Sequence, residues 1–152
     1  MTKKRDDIKK ISDFKNKNIM LTDDQIDLAS INAMLISSGV SKDMYTTKAH
    51  TFNVDDLIDN KTDVVFSYIS NEPFLLKQLG VKYTVFDPKE YGFDFYSDIL
   101  FTSSQETSEH KQRTINFTLA SIKGWEYAFD NIEESVNLIY KKYNSQNKSK
   151  SA

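Results

Sequence analysis

Between Asn18 and Phe86 the spacing of the apolar residues switches several times between a period of about two and a period of about three and a half, which dictates alternating strands and helices. Asn18, Ile19, Met20 and Leu21 form a short apolar run closed by Thr22, Asp23 and Asp24. Behind it Ile26, Ala29, Ala33 and Ile36 share one helical face, with Ile31 and Leu35 beside it, until Gly39. Ala49, His50, Thr51 and Phe52 read as a second strand, Asp55 to Asp59 as a short helix, and residues 63–69 as a strong third strand rich in β-branched and aromatic side chains. A helix starts at Glu72 with Pro73 in its first turn, where a missing N–H costs little, and stops at Gly80. Tyr83, Thr84, Val85 and Phe86 form a fourth strand ended by Asp87 and Pro88. The order predicts an α/β layer with a mainly parallel sheet flanked by helices.

After Pro88 the pattern changes. Residues 89–98 form an aromatic-rich loop around Gly92, and Ile99, Leu100 and Phe101 a short strand. A long helix from Ser108 to about Phe129 carries Ile115, Leu119, Ile122 and Ala128 at helical spacing, with Trp125 and Tyr127 flanking. Asp130 and Asn131 break it. Asn131 followed by Glu133 and Glu134 is expected to cap a last helix through about Tyr143, with Val136, Ile139, Tyr140 and Tyr143 on its apolar face. A C-terminal helical pair is therefore appended to the α/β layer.

A length of 152 residues suffices for one core, and 39% hydrophobic residues argue against disorder. The absence of cysteine excludes disulfides and thiolate chemistry, and two histidines, His50 and His110, exclude a histidine-rich metal site. No cofactor is implied. No stretch approaches the roughly 20 apolar residues of a membrane span, and the charged N-terminus has no apolar run of a signal peptide. The net charge of -2 conceals basic ends: residues 1–17 hold seven Lys/Arg and three Asp, and residues 141–152 four Lys and no acid. Removing +4 at each end leaves -10 between. Residues 1–10 are read as a basic solvated tail and 145–152 as a tail or linker. Neither carries the aromatic residues that stack on bases, so nucleic acid is not the expected partner.

Phosphate-loop, zincin, dinucleotide and nucleophile-elbow signatures are all absent. The carboxylate pairs Asp23/Asp24, Asp55/Asp56 and Glu133/Glu134 lie at helix starts, where they suit the dipole. His50 is either a ligand or base, or a strand histidine held by a hydrogen bond, and His110 reads as exposed. Two places suit binding. The first is Tyr68 to Phe74, with Asn71 and Glu72, at the C-terminal end of the strongest strand, the edge where open α/β sheets bind ligands. A helix cap by Ser70 or Asn71 is the competing reading. The second is the loop with Tyr91, Phe93, Phe95 and Tyr96, either a satellite core or a stacking wall for a flat ligand.

Together these segments resemble the NMT1/THI5-like branch of the type II periplasmic-binding-protein fold. The matching stretches are residues 11–19, similar to the family's "dLkGKkI" opening of the second lobe; residues 63–74 with Asn71, Glu72 and Pro73; residues 91–101; and residues 123–128, followed by Glu133, Glu134, Tyr143 and Asn144. Lys17 and Asn18 stand where the family has Gly and Lys. The resemblance implies a partial solute-binding domain over residues 11–144, with the second lobe at 11–88 and the crossover and C-terminal helices at 89–144. It implies no enzyme, but recognition of a small polar or heteroaromatic ligand, pyrimidine- or thiamine-precursor-like, for uptake or signal transduction. Tyr68, Asn71, Glu72, Tyr91, Phe93, Tyr96 and Asp98 are the expected ligand contacts. A transporter permease or a fused signalling module would be the protein partner, in an extracytoplasmic setting. Because the chain starts where the family's first lobe would end, weak binding is expected. The alternatives are an interaction domain that forms a homodimer and, less favoured, a pyrimidine-synthesis enzyme using His50.

Overall fold

A computed structural model describes residues 1–22, 29–96, 98–145 and 147–150. The cap expected at Asp23/Asp24 and the face position Ile26 lie outside these residues. The chain divides into two compact units, Met1–Ser97 and Asp98–Ala152.

The first unit is built on a three-stranded parallel sheet. Its central strand β2 (Asn18–Leu21) lies between β3 (Thr46–Ala49) and β4 (Val64–Val65), with Ile19 opposite Thr47 on one side and Val64 on the other. Alternation along β2 divides the core in two. Ile19 and Leu21 join Phe14, Leu35, Val40, Val64 and Phe86 on one face, whereas Met20 joins Met1, Leu57, Val65 and Leu76 on the other. A strand buried on both faces reads as a continuous apolar run, which is what residues 19–21 show.

The strand expected at 49–52 instead occupies Thr46–Ala49. All four side chains are exposed, so the strand is held by backbone pairing and its polar edge carries no burial signal. The third strand is shorter than expected, ending at Val65. The fourth, β5 (Tyr83–Thr84), pairs antiparallel with β1 (Thr2–Lys3) in a separate two-stranded sheet rather than extending the parallel one.

That pairing corrects the reading of residues 1–10 as a solvated tail. Met1, Thr2 and Ile8 are buried, the Thr2 hydroxyl donates to the Asp63 carbonyl at 2.7 Å, and the Val65 N–H donates to the Met1 carbonyl at 2.9 Å. The lysines obscured a short apolar and β-prone set that completes the core.

Helix α1 (Ala29–Ser37) buries Met34 and Leu35 and leaves Ile36 exposed, unlike the face expected from spacing. Its residues are apolar nearly all round, so periodicity alone does not choose a side. It ends at Gly39, whose φ of 74° requires a residue without Cβ strain, and Val40 N–H then returns to the Leu35 carbonyl at 2.9 Å. Two further helices, α2 (Asp55–Ile58) and α3 (Glu72–Gln78), fall where the sequence places them.

The second unit comprises α4 (Ser104–Glu109), α5 (Lys111–Asp130) and α6 (Ile132–Lys142). The single helix expected from Ser108 is thus preceded by another, capped by the Ser103 hydroxyl on the Glu106 N–H at 3.0 Å and broken at His110. Residues 99–101, expected as a strand, have no regular structure. Asn131 does not cap α6 with its side chain; its amide instead donates to the Tyr127 carbonyl at 2.9 Å and closes α5. No helix among the described residues is long and apolar enough to cross a membrane.

Candidate functional site

The parallel sheet has two chemically different ends. At the N-terminal end, Asp63 leads into β4 and accepts from the Asn18 N–H at 2.9 Å and from Arg5, while Asp7 bridges Arg5 and Lys17. Burial by itself pushes the Asp63 carboxyl up, but the Asn18 N–H, Arg5 and Lys17 together hold it below the usual carboxylate range. These charges are mutually satisfied and serve the fold.

At the C-terminal end the chain leaves β4 through Phe66, Ser67, Tyr68 and Ile69, and leaves β5 through Val85, Phe86 and Asp87. Together with residues of α1 these segments line a cavity of about 210 Å³. Its floor includes Phe14, which meets Phe86 edge-on with ring centroids 5.2 Å apart. The wall is mostly apolar, and Ser67, Tyr68 and Asp87 provide its polar groups. One Asp87 carboxylate oxygen accepts from the Lys89 N–H at 3.0 Å, capping the turn Pro88–Tyr91 and fixing the side chain at the end of β5. Apolar faces with a few oriented polar groups suit a flat ring bearing a donor.

His50 follows β3 and ties its end to β4. The Phe52 N–H donates to Nδ1 at 2.9 Å, so Nε2 carries the proton and donates to the Phe66 carbonyl at 2.7 Å. Both ring nitrogens are therefore engaged in holding the strand ends. Beside the ring, Phe52 adopts a left-handed φ of 58° with its own ring 4.4 Å from the imidazole.

Of the residues expected from sequence, Tyr68 lines the cavity. Glu72 opens α3 but is only 4% exposed. One of its carboxyl oxygens accepts from the Asn71 amide at 3.1 Å, and the other is buried with no hydrogen-bond partner. The Met1 amine lies close by; burial pushes it down to about 5, and the Glu72 carboxylate pulls it back up. Asn71 makes no side-chain cap on α3.

The aromatic loop divides. Phe93 packs against the larger core cluster and meets Phe95 edge-on at 6.5 Å, so it belongs to a satellite core. Tyr91 is partly exposed in its turn, with its hydroxyl pushed up by burial and then by Glu90, while Tyr96 is 95% exposed. Asp98 is exposed and falls in the second unit. Phe66, Ser67 and Asp87 were missed in the sequence reading, although an acid immediately after a strand is a detectable signal. No group of His, Asp or Glu that could hold a metal is present among the described residues.

The profile of the NMT1/THI5 like family matches residues 1–135. The chain belongs to the NMT1/THI5-like family. Over 85 residues it is 28% identical to a formylaminopyrimidine-binding protein of Halalkalibacterium halodurans, a stretch covering 55% of this chain and 26% of that protein. The chain thus spans about a quarter of the length of the curated relative it matches. NMT1/THI5-like proteins are generally binding proteins, though some THI5 members are enzymes, and a small-molecule ligand follows from the family.

Proposed function

We propose that this NMT1/THI5-like chain forms one wall of a solute-recognition site for a small heteroaromatic ligand bearing an exocyclic amine, of the pyrimidine or thiamine-precursor class. The observation that carries the reading is the cavity at the C-terminal ends of β4 and β5, where Asp87 and Tyr68 accompany Phe66 and Phe86. A planar ring would lie on the apolar wall, and the Asp87 carboxylate would accept from its amine. A relative named for binding formylaminopyrimidine supports this ligand class. Asn71, Glu72, Tyr91, Phe93, Tyr96 and Asp98 are proposed as contacts of a wider cleft around the same strand edge. The role is binding rather than catalysis, in an extracytoplasmic uptake or sensing protein, with a permease or a signalling module as partner.

The test is an NMR titration of the 152-residue chain with an aminopyrimidine, repeated on Asp87→Asn and Tyr68→Ala. The expected result is saturable movement of the amide signals of residues 66–68 and 87, with Asp87→Asn shifting the midpoint by tenfold or more. No movement at saturating ligand, or an unchanged midpoint in both variants, overturns the proposal.

A further inference from the structure

The second unit shows a surface that the first does not. On α5, Ile115, Leu119, Ile122 and Phe129 recur at spacings of four, three and seven residues, with Glu126 filling the gap to complete a four-three-four-three seam. That repeat is the signature of helices that pair along one side. All four apolar side chains are about half exposed or more, and no residue of α5 or α6 is buried. Trp125 stacks on Phe129 at 5.9 Å and widens the same side.

The charges say what covers it. Near the Asn131 junction both helices are acidic, with Glu126 and Asp130 on α5 and Glu133 and Glu134 on α6. Their far ends are basic, with Lys111 and Arg113 on α5 and Lys141 and Lys142 on α6. Arg113 is already paired with Glu106 at 2.6 Å, which leaves the lysines for an outside partner. On α5 this order opposes the helix dipole, so it is not explained by local helix stabilisation. It matches a second copy of the same helix laid antiparallel.

We infer that α5 is the interface of a two-fold symmetric homodimer, its seam pairing antiparallel with that of a second copy. An axis between Leu119 and Ile122 sets Leu119 of one copy against Ile122 of the other, and Lys111 of one copy against Asp130 of the other. Such a contact is self-complementary and closed. Glu126, one turn from Asp130 in the seam, lies within reach of the same lysine. A charged residue in an apolar seam costs stability but fixes direction and register. The inference stands independently of the solute-binding reading, because no residue of the cavity takes part.

Sedimentation velocity of the full 152-residue chain over a wide concentration range tests it. The expected result is a monomer–dimer equilibrium that Leu119→Glu shifts to monomer, with far-ultraviolet dichroism unchanged because the site is already exposed. Lys111→Glu should weaken association at least tenfold, and adding Asp130→Lys in the same chain should restore it. A monomer at all concentrations, association insensitive to Leu119→Glu, open-ended aggregation, or no rescue by the paired charge swap would each overturn the inference.

Discussion

The Nε2 of His50 lies 2.7 Å from the carbonyl oxygen of Phe66, and this contact joins the residues that follow β3 to those that follow β4. With Nδ1 accepting from the Phe52 N–H, the imidazole replaces the backbone ladder just where the parallel strands stop pairing. His50→Ala is expected to destabilise the fold by about 1–3 kcal/mol, since two backbone groups lose their partner. Urea denaturation gives the value. A change below about 0.5 kcal/mol, the range of ordinary surface substitutions, would show that the bridge is replaced by water.

Asp63 couples stability to pH. Its folded-state pKa is lowered, so its contribution is fully present above the unfolded value of about 3.9 and is lost as pH falls through the folded value. The wild-type chain should lose stability below about pH 4 more steeply than Asp63→Asn, and the two should differ by about 1–3 kcal/mol at pH 7. Parallel acid-denaturation curves for the two proteins would contradict the assignment.

Glu72 carries a different liability. A buried carboxyl oxygen without a hydrogen-bond partner costs desolvation, and replacing the group by an apolar one of similar volume is neutral or favourable. Glu72→Met is expected to leave stability unchanged or to raise it by about 1–2 kcal/mol. Its thermal midpoint should therefore not fall. A fall would reveal that the carboxylate and the nearby Met1 amine stabilise each other more than burial costs them.

The aromatic loop offers a comparison within one segment. Phe93→Ala removes a ring packed on the core and should cost about 3 kcal/mol, whereas Tyr96→Ala should stay within about 0.5 kcal/mol. Equal losses in chemical denaturation would mean that the loop folds as one unit.

Much of this was legible in the chain because the signal was local. Ile19 to Leu21 could only be a strand buried on both faces, Pro73 could only stand in a first turn, and Gly39 and Gly80 ended helices where a positive φ was needed. The period of the apolar residues fixed the α/β class and the helical C-terminal part, because burial of one side of a helix or strand is a property of its own residues.

What only the tertiary structure decided is set by partners far away in sequence. β3 is fully exposed and has no pattern, so its position comes from β2; residues 1–3 look like a charged tail until β5 and Asp63 supply their hydrogen bonds. The site follows the same rule. Tyr68 could be placed at a strand end from sequence, but its neighbour Asp87 could not, because β4 and β5 end together only through contacts that neither segment specifies alone. Backbone hydrogen bonds carry no side-chain identity, so a structure assembled through them leaves no mark in the residues that make them.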